Sequence, residues 1–148
     1  MERELLDICG VSGVAGGFVC DNAGEVIAAS DPPVLATQTM TLAGRVAAQI
    51  FGAMDAANHR VDRIEVAFDT GRLFARDIGP AVLVVVCQPV VDTAMLRMAI
   101  DIAVVGWRSN SQHQKRLTKS KAVRRQVLTE GALDEVAWRS WRVVAQGT

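Results

Sequence analysis

The segment 10–30, GVSGVAGGFVCDNAGEVIAAS, constrains the fold of this chain more than any other. Its first half contains an apolar run over 14–20, which predicts a strand. The composition around Asp21, Asn22 and Gly24 is typical of a turn, and 25–29 predicts a partner strand. A β-hairpin is therefore expected close to the start of the chain.

Helices are expected on both sides of this hairpin. Leu5, Leu6 and Ile8 predict a short first helix, which Gly10 can end in the left-handed conformation. The two prolines at 32–33 cannot continue a strand interior, but they are tolerated just before a helix. The predicted order therefore begins with a helix, two strands and a second helix.

The second helix is expected over 35–54. Its apolar residues recur at steps of four and three and predict the face that packs on the sheet: Ala36, Met40, Ala43, Ala47, Ile50 and Met54. Gly44, Ala48 and Gly52 form a second line, of small residues. A glycine inside a helix costs about 1 kcal/mol relative to alanine, so close approach to another helix is one explanation, and simple tolerance of glycine is the other. The first explanation predicts a helix-to-helix dimer seam.

Three more strands and a last helix follow. Alternating polarity over 61–69 and 72–78 and a continuous apolar run over 81–88 predict a meander whose last strand is buried on both faces. The last helix, 92–109, has two apolar faces. We expect the first face to cover the sheet: Val91, Met95, Met98, Ile102 and Val105. The second face needs another partner: Leu96, Ile100, Ala103 and Trp107. The predicted class is α+β, with a five-stranded antiparallel sheet between helices in the order α-β-β-α-β-β-β-α.

Charge divides the chain near residue 110. Residues 1–110 contain 8 Lys and Arg against 13 Asp and Glu, whereas residues 111–148 contain 8 against 3. We therefore expect one domain over 1–110 and a basic, partly helical extension over 111–148. The sequence has no uninterrupted apolar run of about 18 residues, and its charged start, MERE, is unlike a signal peptide, so a cytoplasmic protein is expected.

The sequence gives little support for a catalytic site, a metal site or a nucleotide-binding loop. Cys9, Cys20 and Cys87 lack metal-type spacing, and the glycines over 10–17 are not followed by Gly-Lys-Ser/Thr. The carboxylates of the meander are expected on solvated faces: Asp62, Glu65, Asp69 and Asp77. We expect no catalytic residue, no metal and no cofactor.

The extension is basic at its start. Six basic residues occur without an acid: Lys115, Arg116, Lys119, Lys121, Arg124 and Arg125. A solvated linker is one interpretation, and contact with an acidic partner, with anionic lipid or, as the weakest option, with nucleic acid is the other. A final short helix is predicted with one apolar side: Leu133, Val136, Ala137, Trp141 and Val144. Trp138 and Trp141 could anchor this helix at a membrane, but docking on its own domain is favoured.

Three features together carry a resemblance to a known family. They are Gly10, Val11 and Gly13 at the opening, the Asp21-x-x-Gly24 turn followed by EVIA, and the apolar strand over 81–87. With this order of elements, the sequence resembles the roadblock / dynein light chain family over about 3–108. The resemblance implies a homodimeric, non-enzymatic module. It also implies that the sheets join edge to edge and that paired second helices form a platform for small Ras-like GTPases.

The resemblance assigns roles along this chain. It places the platform helix at 35–54 and the joining edge at 61–69. The implied dimer interface comprises Gly44, Ala48, Gly52, Ile64 and Val66, and the implied partner contacts are Thr41, Arg45 and Gln49. One alternative function is a small-molecule or membrane-associated sensor with the same layout. Another is a structural adaptor of a larger complex.

Overall fold

The predicted helix–sheet–helix arrangement is present, and the sheet has one strand more than expected. The computed structural model describes residues 1–110, His113, Lys115 and the backbone of 142–147. The elements are α1 (Glu2–Cys9), β1 (Val14–Asp21), β2 (Val26–Ala29), α2 (Thr37–Ala56), β3 (Val61–Ala67), β4 (Arg72–Asp77), β5 (Ala81–Cys87), α3 (Thr93–Ser109) and β6 (Arg142–Gly147). The strand order is β2-β1-β5-β4-β3-β6, and neighbouring strands run antiparallel. The predicted α+β class is confirmed.

The sheet separates two hydrophobic clusters, because successive side chains of a strand point to opposite faces. One cluster lies under α2 and includes Phe18, Val82 and Val84. The other lies under α1 and α3 and includes Val19, Leu83, Val85, Leu96 and Trp107. The central strand β5 contributes to both clusters. Its burial on both faces confirms the prediction from its continuous apolar sequence.

The first helix ends differently from the prediction. Gly10 follows α1 with φ −71° and ψ −13°, which is right-handed helical backbone. The left-handed glycine is Gly13, at φ +91°, where a side chain would collide with the carbonyl oxygen of Val90. The left-handed glycine of this segment is therefore required where the chain contacts the β5–α3 connection, and not at the end of α1.

Helix α3 packs on the sheet through the face opposite to the one predicted. Its buried residues are Leu96, Ile100, Ala103, Val104 and Trp107. The residues expected to cover the sheet are instead exposed: Met95, Met98, Ile102 and Val105. Both faces are apolar, so periodicity alone did not distinguish them.

Ion pairs hold α3 and β3 to the centre of the sheet. Arg76 of β4 contacts Asp62 of β3 at 3.3 Å and Asp101 of α3 at 3.0 Å, with its side chain 13% exposed. Arg72 contacts Glu65 at 3.1 Å. Asp62 and Glu65 are therefore cross-strand partners of arginine, which corrects the expectation that they are merely solvated.

The sixth strand lies in the extension. Arg142 pairs with Ala67 and Gly147 pairs with Val61, so β6 runs antiparallel along the whole of β3. The final helix predicted to include Val144 is wrong at that position, because Val144 belongs to β6. The remainder of that predicted helix lies outside the described residues.

Helix α2 approaches the β1–β2 hairpin very closely. An ideal Cβ on Gly44 would lie 2.6 Å from the Sγ and 2.7 Å from the Cβ of Cys20. A Cβ on Gly24, which has φ +92°, would collide with the carbonyl oxygen of Thr41. This contact with the chain's own strand β1 gives a reason for the glycine in the middle of α2 within one protomer, and the dimer seam stays a prediction.

Replacing Gly44 with alanine is expected to destabilise the protein. The added methyl group collides with Cys20 in a buried cluster, and overpacking of this kind costs about 1–3 kcal/mol. Gly106 of α3 is the matched control, because a Cβ there meets nothing within 4 Å. G106A is expected to gain about 0.5–1 kcal/mol from helix propensity. Urea unfolding of the two variants tests this contrast, and a G44A protein as stable as G106A would contradict the close contact.

The buried thiols are expected to resist alkylation. Burial raises the pKa of Cys20 and of Cys87 to about 12 each, from an ordinary value of 9.0. Because only the thiolate reacts, iodoacetamide at pH 8 should modify the half-buried Cys9 first. Peptide mass spectrometry over time measures the order of labelling. Equal rates at all three cysteines would show that the clusters open readily.

The same pKa values predict how the free energy of unfolding depends on pH. The folded protein keeps these two protons up to about pH 12, whereas an unfolded thiol loses its proton above about pH 9. The stabilisation from the neutral thiols is therefore complete below pH 9 and declines as the pH rises towards 12.

Candidate partner-binding face

Helix α2 presents one side to the sheet and the other to solvent. Of the predicted apolar line, Met40, Ala43, Ala47 and Ile50 are buried against the sheet, whereas Ala36 is exposed and Met54 is half-buried. The opposite side carries Gln38, Leu42 and Arg45, all exposed, and the half-buried Gln49. We call these four residues the outer face of α2. They recur at steps of four, three and four, so they form one stripe along the helix.

The β1–β2 turn fixes the first half of this face. The Asp21 carboxylate accepts hydrogen bonds from the backbone N–H groups of Ala23 and Glu25, each at 2.9 Å. Arg45 donates from Nε to the Ala23 carbonyl oxygen at 3.3 Å. The turn therefore restricts the position of the Arg45 guanidinium, although the side chain is still exposed to solvent.

The predicted partner contacts differ in accessibility. Arg45 is exposed, Gln49 is half-buried, and Thr41 is half-buried beside Gly24. Leu42 was missed by the sequence reasoning, although it is 57% exposed between Gln38 and Arg45. The missed signal was its position three residues before Arg45 and seven before Gln49, which places an apolar side chain on the polar side of the helix.

The predicted dimer residues pack inside the protomer. Ala48 is 7% exposed, Ile64 2% and Val66 1%, and all three belong to the cluster under α2. Gly44 meets Cys20, and Gly52 is buried. These side chains belong to the core of the protomer, and their part in a dimer interface stays a prediction. Strand β6 pairs with β3 from Val61 to Ala67, so the backbone of β3 is not a free edge of the sheet in this structure.

The predicted contacts of the extension fall almost entirely outside the described residues. Lys115 is exposed and helical. The others lie in the part of the chain that is not described: Arg116, Lys119, Lys121, Arg124, Arg125, Trp138 and Trp141.

The described residues hold no group of three His, Cys, Asp or Glu side chains that could bind a metal ion. A pocket between β3, β4 and α3 has a volume of about 20 Å³, which is room for roughly one water molecule. This pocket is too small for a ligand, whereas an open groove between α1 and α3 has a volume of about 540 Å³, which is within the range of ligand sites.

The described part of the chain contains no candidate for a membrane span. None of its helices combines the length and the apolar character that a bilayer span requires.

Comparison with known proteins places this arrangement among solved structures. No protein-family model matches the sequence, and no curated protein matches it either. The fold is similar to a roadblock/LC7 domain from Streptomyces avermitilis, with a TM-score of 0.64 and 15% identity over 74% of this chain and 95% of that one. It is similar to Myxococcus xanthus MglB, with a TM-score of 0.62 and 17% identity over 81% and 88%. It is also similar to the gliding protein MglB from Thermus thermophilus, with a TM-score of 0.53 and 19% identity over 88% of each chain. The chain therefore has the roadblock fold.

Proposed function

We propose that this chain is a non-enzymatic regulator or scaffold that binds a small Ras-like GTPase through the outer face of α2 and acts as a homodimer in the cytoplasm. The observation that carries the proposal is the exposed Leu42 beside Arg45, on the helix that the roadblock resemblance identifies as the platform. The fold shared with MglB proteins supports it.

The outer face of α2 has the properties of a preformed protein-binding surface. Leu42 offers an apolar side chain, and Arg45 offers a cation whose position the Ala23 carbonyl oxygen already restricts. Arginine is among the residues that contribute most to the binding energy of protein interfaces, and burial of an exposed leucine side chain adds favourable free energy. Prior ordering of a side chain reduces the entropy lost on association. The buried side of α2 holds the helix in place while the outer side binds.

A surface of this kind can regulate a GTPase by binding its GDP-bound and GTP-bound states with different affinities. If the outer face binds one state tenfold more tightly, it shifts the equilibrium by about 1.4 kcal/mol towards that state. No catalytic side chain is needed for such an effect. The proposal therefore assigns to Leu42, Arg45 and Gln49 the role of recognition.

Dimerisation through the edges of the sheets competes with β6. A second copy can pair its β3 with this β3 only if residues 142–147 leave the edge. Backbone hydrogen bonds to β6 would then be replaced by similar bonds to the second copy, so the balance between the two arrangements depends on protein concentration. In this proposal the extension limits self-association.

Leu42→Asp is expected to remove GTPase binding. The substitution places a charge in the middle of the proposed interface, without disturbing the core, because Leu42 is 57% exposed. The full chain would be used to capture proteins from source cells in GDP and in a non-hydrolysable GTP analogue, with identification by mass spectrometry. A Ras-like GTPase enriched in one nucleotide state is expected, with recovery lowered at least tenfold by L42D.

Val90→Asp is the matched control for that experiment. Val90 is an exposed apolar residue in the β5–α3 connection, 86% exposed and remote from the outer face of α2. V90D should capture the GTPase as the unchanged protein does. Equal losses in the two variants would contradict binding at α2, and a captured small molecule without any GTPase would favour the sensor alternative.

Freeing the β3 edge is expected to increase dimerisation. Successive N–H groups of a strand point in opposite directions, so replacing both Val144 and Ala145 with proline removes at least one bond to β3. Sedimentation velocity at matched concentrations should show a larger dimer fraction for the double variant than for the unchanged chain. A dimer fraction that stays constant or falls would contradict edge-to-edge pairing through β3.

A further inference from the structure

Helix α3 carries an apolar stripe that no described residue covers. Met95, Met98, Ile102 and Val105 are between 50% and 68% exposed, and Leu6 of α1, at 60%, lies beside them. We call these five residues the α3 stripe. Large exposed side chains scattered singly are ordinary on a protein surface, but a contiguous row of them indicates a binding surface.

The stripe borders a groove between α1 and α3. The groove has a volume of about 540 Å³, and Leu6, Met95, Met98 and Ile102 line its apolar part. Its polar part includes two exposed acidic residues, Asp7 at the end of α1 and Asp92 at the start of α3. The occupant that fits this surface is therefore a segment with apolar residues and positive charge.

The described residues that follow α3 lie close to α1. His113 lies at the beginning of α1, because its Nε2 contacts the Met1 amine at 3.0 Å. The chain rejoins the described structure at Arg142, which pairs with Ala67.

Ala67 lies at the other end of the sheet. It pairs with Arg72, which pairs with Cys87, and Cys87 pairs with Val14 just after α1. Helix α3 also begins at this end, because the N–H of Asp92 donates to Ser12. The described residues His113 and Arg142 therefore lie at opposite ends of the direction in which α3 runs, and α3 has 17 residues and is about 25 Å long.

We propose that residues 116–128 of the same chain occupy the groove between α1 and α3. This segment follows Lys115 directly and carries apolar residues for the stripe: Leu117, Val123, Val127 and Leu128. Its basic residues match the acidic positions of the groove: Arg116, Lys119, Lys121, Arg124 and Arg125. As a helix it would cover about 20 Å, which is close to the length of the stripe.

Other occupants fit the geometry less well. Residues 133–141 immediately precede β6 in the sequence, and β4 and β3 separate β6 from β5 in the strand order. Their charges also balance nearly evenly, with Asp134 and Glu135 against Arg139. A second copy would bring Asp7 and Asp92 of two chains to one surface, where the carboxylates repel.

Photo-crosslinking of the full chain tests the proposal. The crosslinker p-benzoylphenylalanine replaces Ile102 in the stripe, or Leu42 on the opposite side of the sheet as the matched control. Both positions are exposed, so neither replacement enters the core. An equal mixture of ¹⁵N-labelled and unlabelled protein is irradiated, and the crosslinked peptides are identified by mass spectrometry.

The expected result is a crosslink from position 102 to a peptide within 116–128, with both peptides carrying the same isotope, and at least fivefold less of it from position 42. Mixed-isotope peptides would show that a second copy covers the stripe and would overturn the proposal. Crosslinks from position 102 only to 129–141, or to no peptide of the chain, would overturn it as well. This outcome is independent of GTPase binding, which the outer face of α2 tests separately.

Discussion

The close contact between α2 and the β1–β2 hairpin determines how the rest of the protein is arranged. It forms because Gly44 and Gly24 have no side chains where Cys20 and Thr41 approach. The contact fixes the rotation of α2, and the rotation decides which residues face the sheet and which face solvent. Arg45 then reaches the turn through its bond to the Ala23 carbonyl oxygen. The outer face of α2 is thus a consequence of packing on its other side.

The opposite face of the sheet follows a different constraint. Arg76 bridges Asp62 and Asp101 and so connects β4 with β3 and with α3. The side chain of Arg76 is only 13% exposed, and a charge with so little exposure would be costly without a partner. This bridge favours the rotation of α3 that buries Leu96, Ile100 and Trp107, and it leaves the α3 stripe outside.

Much of the fold could be predicted from local sequence. Which face of α3 packs on the sheet, and what covers its other face, could not be predicted in this way. Turn residues and alternating polarity were sufficient for the hairpin and the meander, because these signals act between neighbours in the chain. The role of Gly44 depends on Cys20, more than twenty positions earlier, and a line of small residues looks the same whether a strand or a second helix approaches it. Helix α3 has two faces of similar polarity, so which face packs on the sheet depends on contacts with residues far away in the sequence, among them the contact of Asp101 with Arg76. Strand β6 depends on the open edge of β3, which no pattern within 142–147 reveals.

The extension follows α3 in the sequence and ends in β6, which pairs with β3. In our proposal residues 116–128 occupy the groove on α3, and this occupancy shortens the free chain between the groove and β6. Release of residues 116–128 from the groove would lengthen that connection and raise the entropy cost of keeping β6 paired. The proposal therefore couples the surface of α3 to the pairing of β3 through the covalent chain, although different residues form the two.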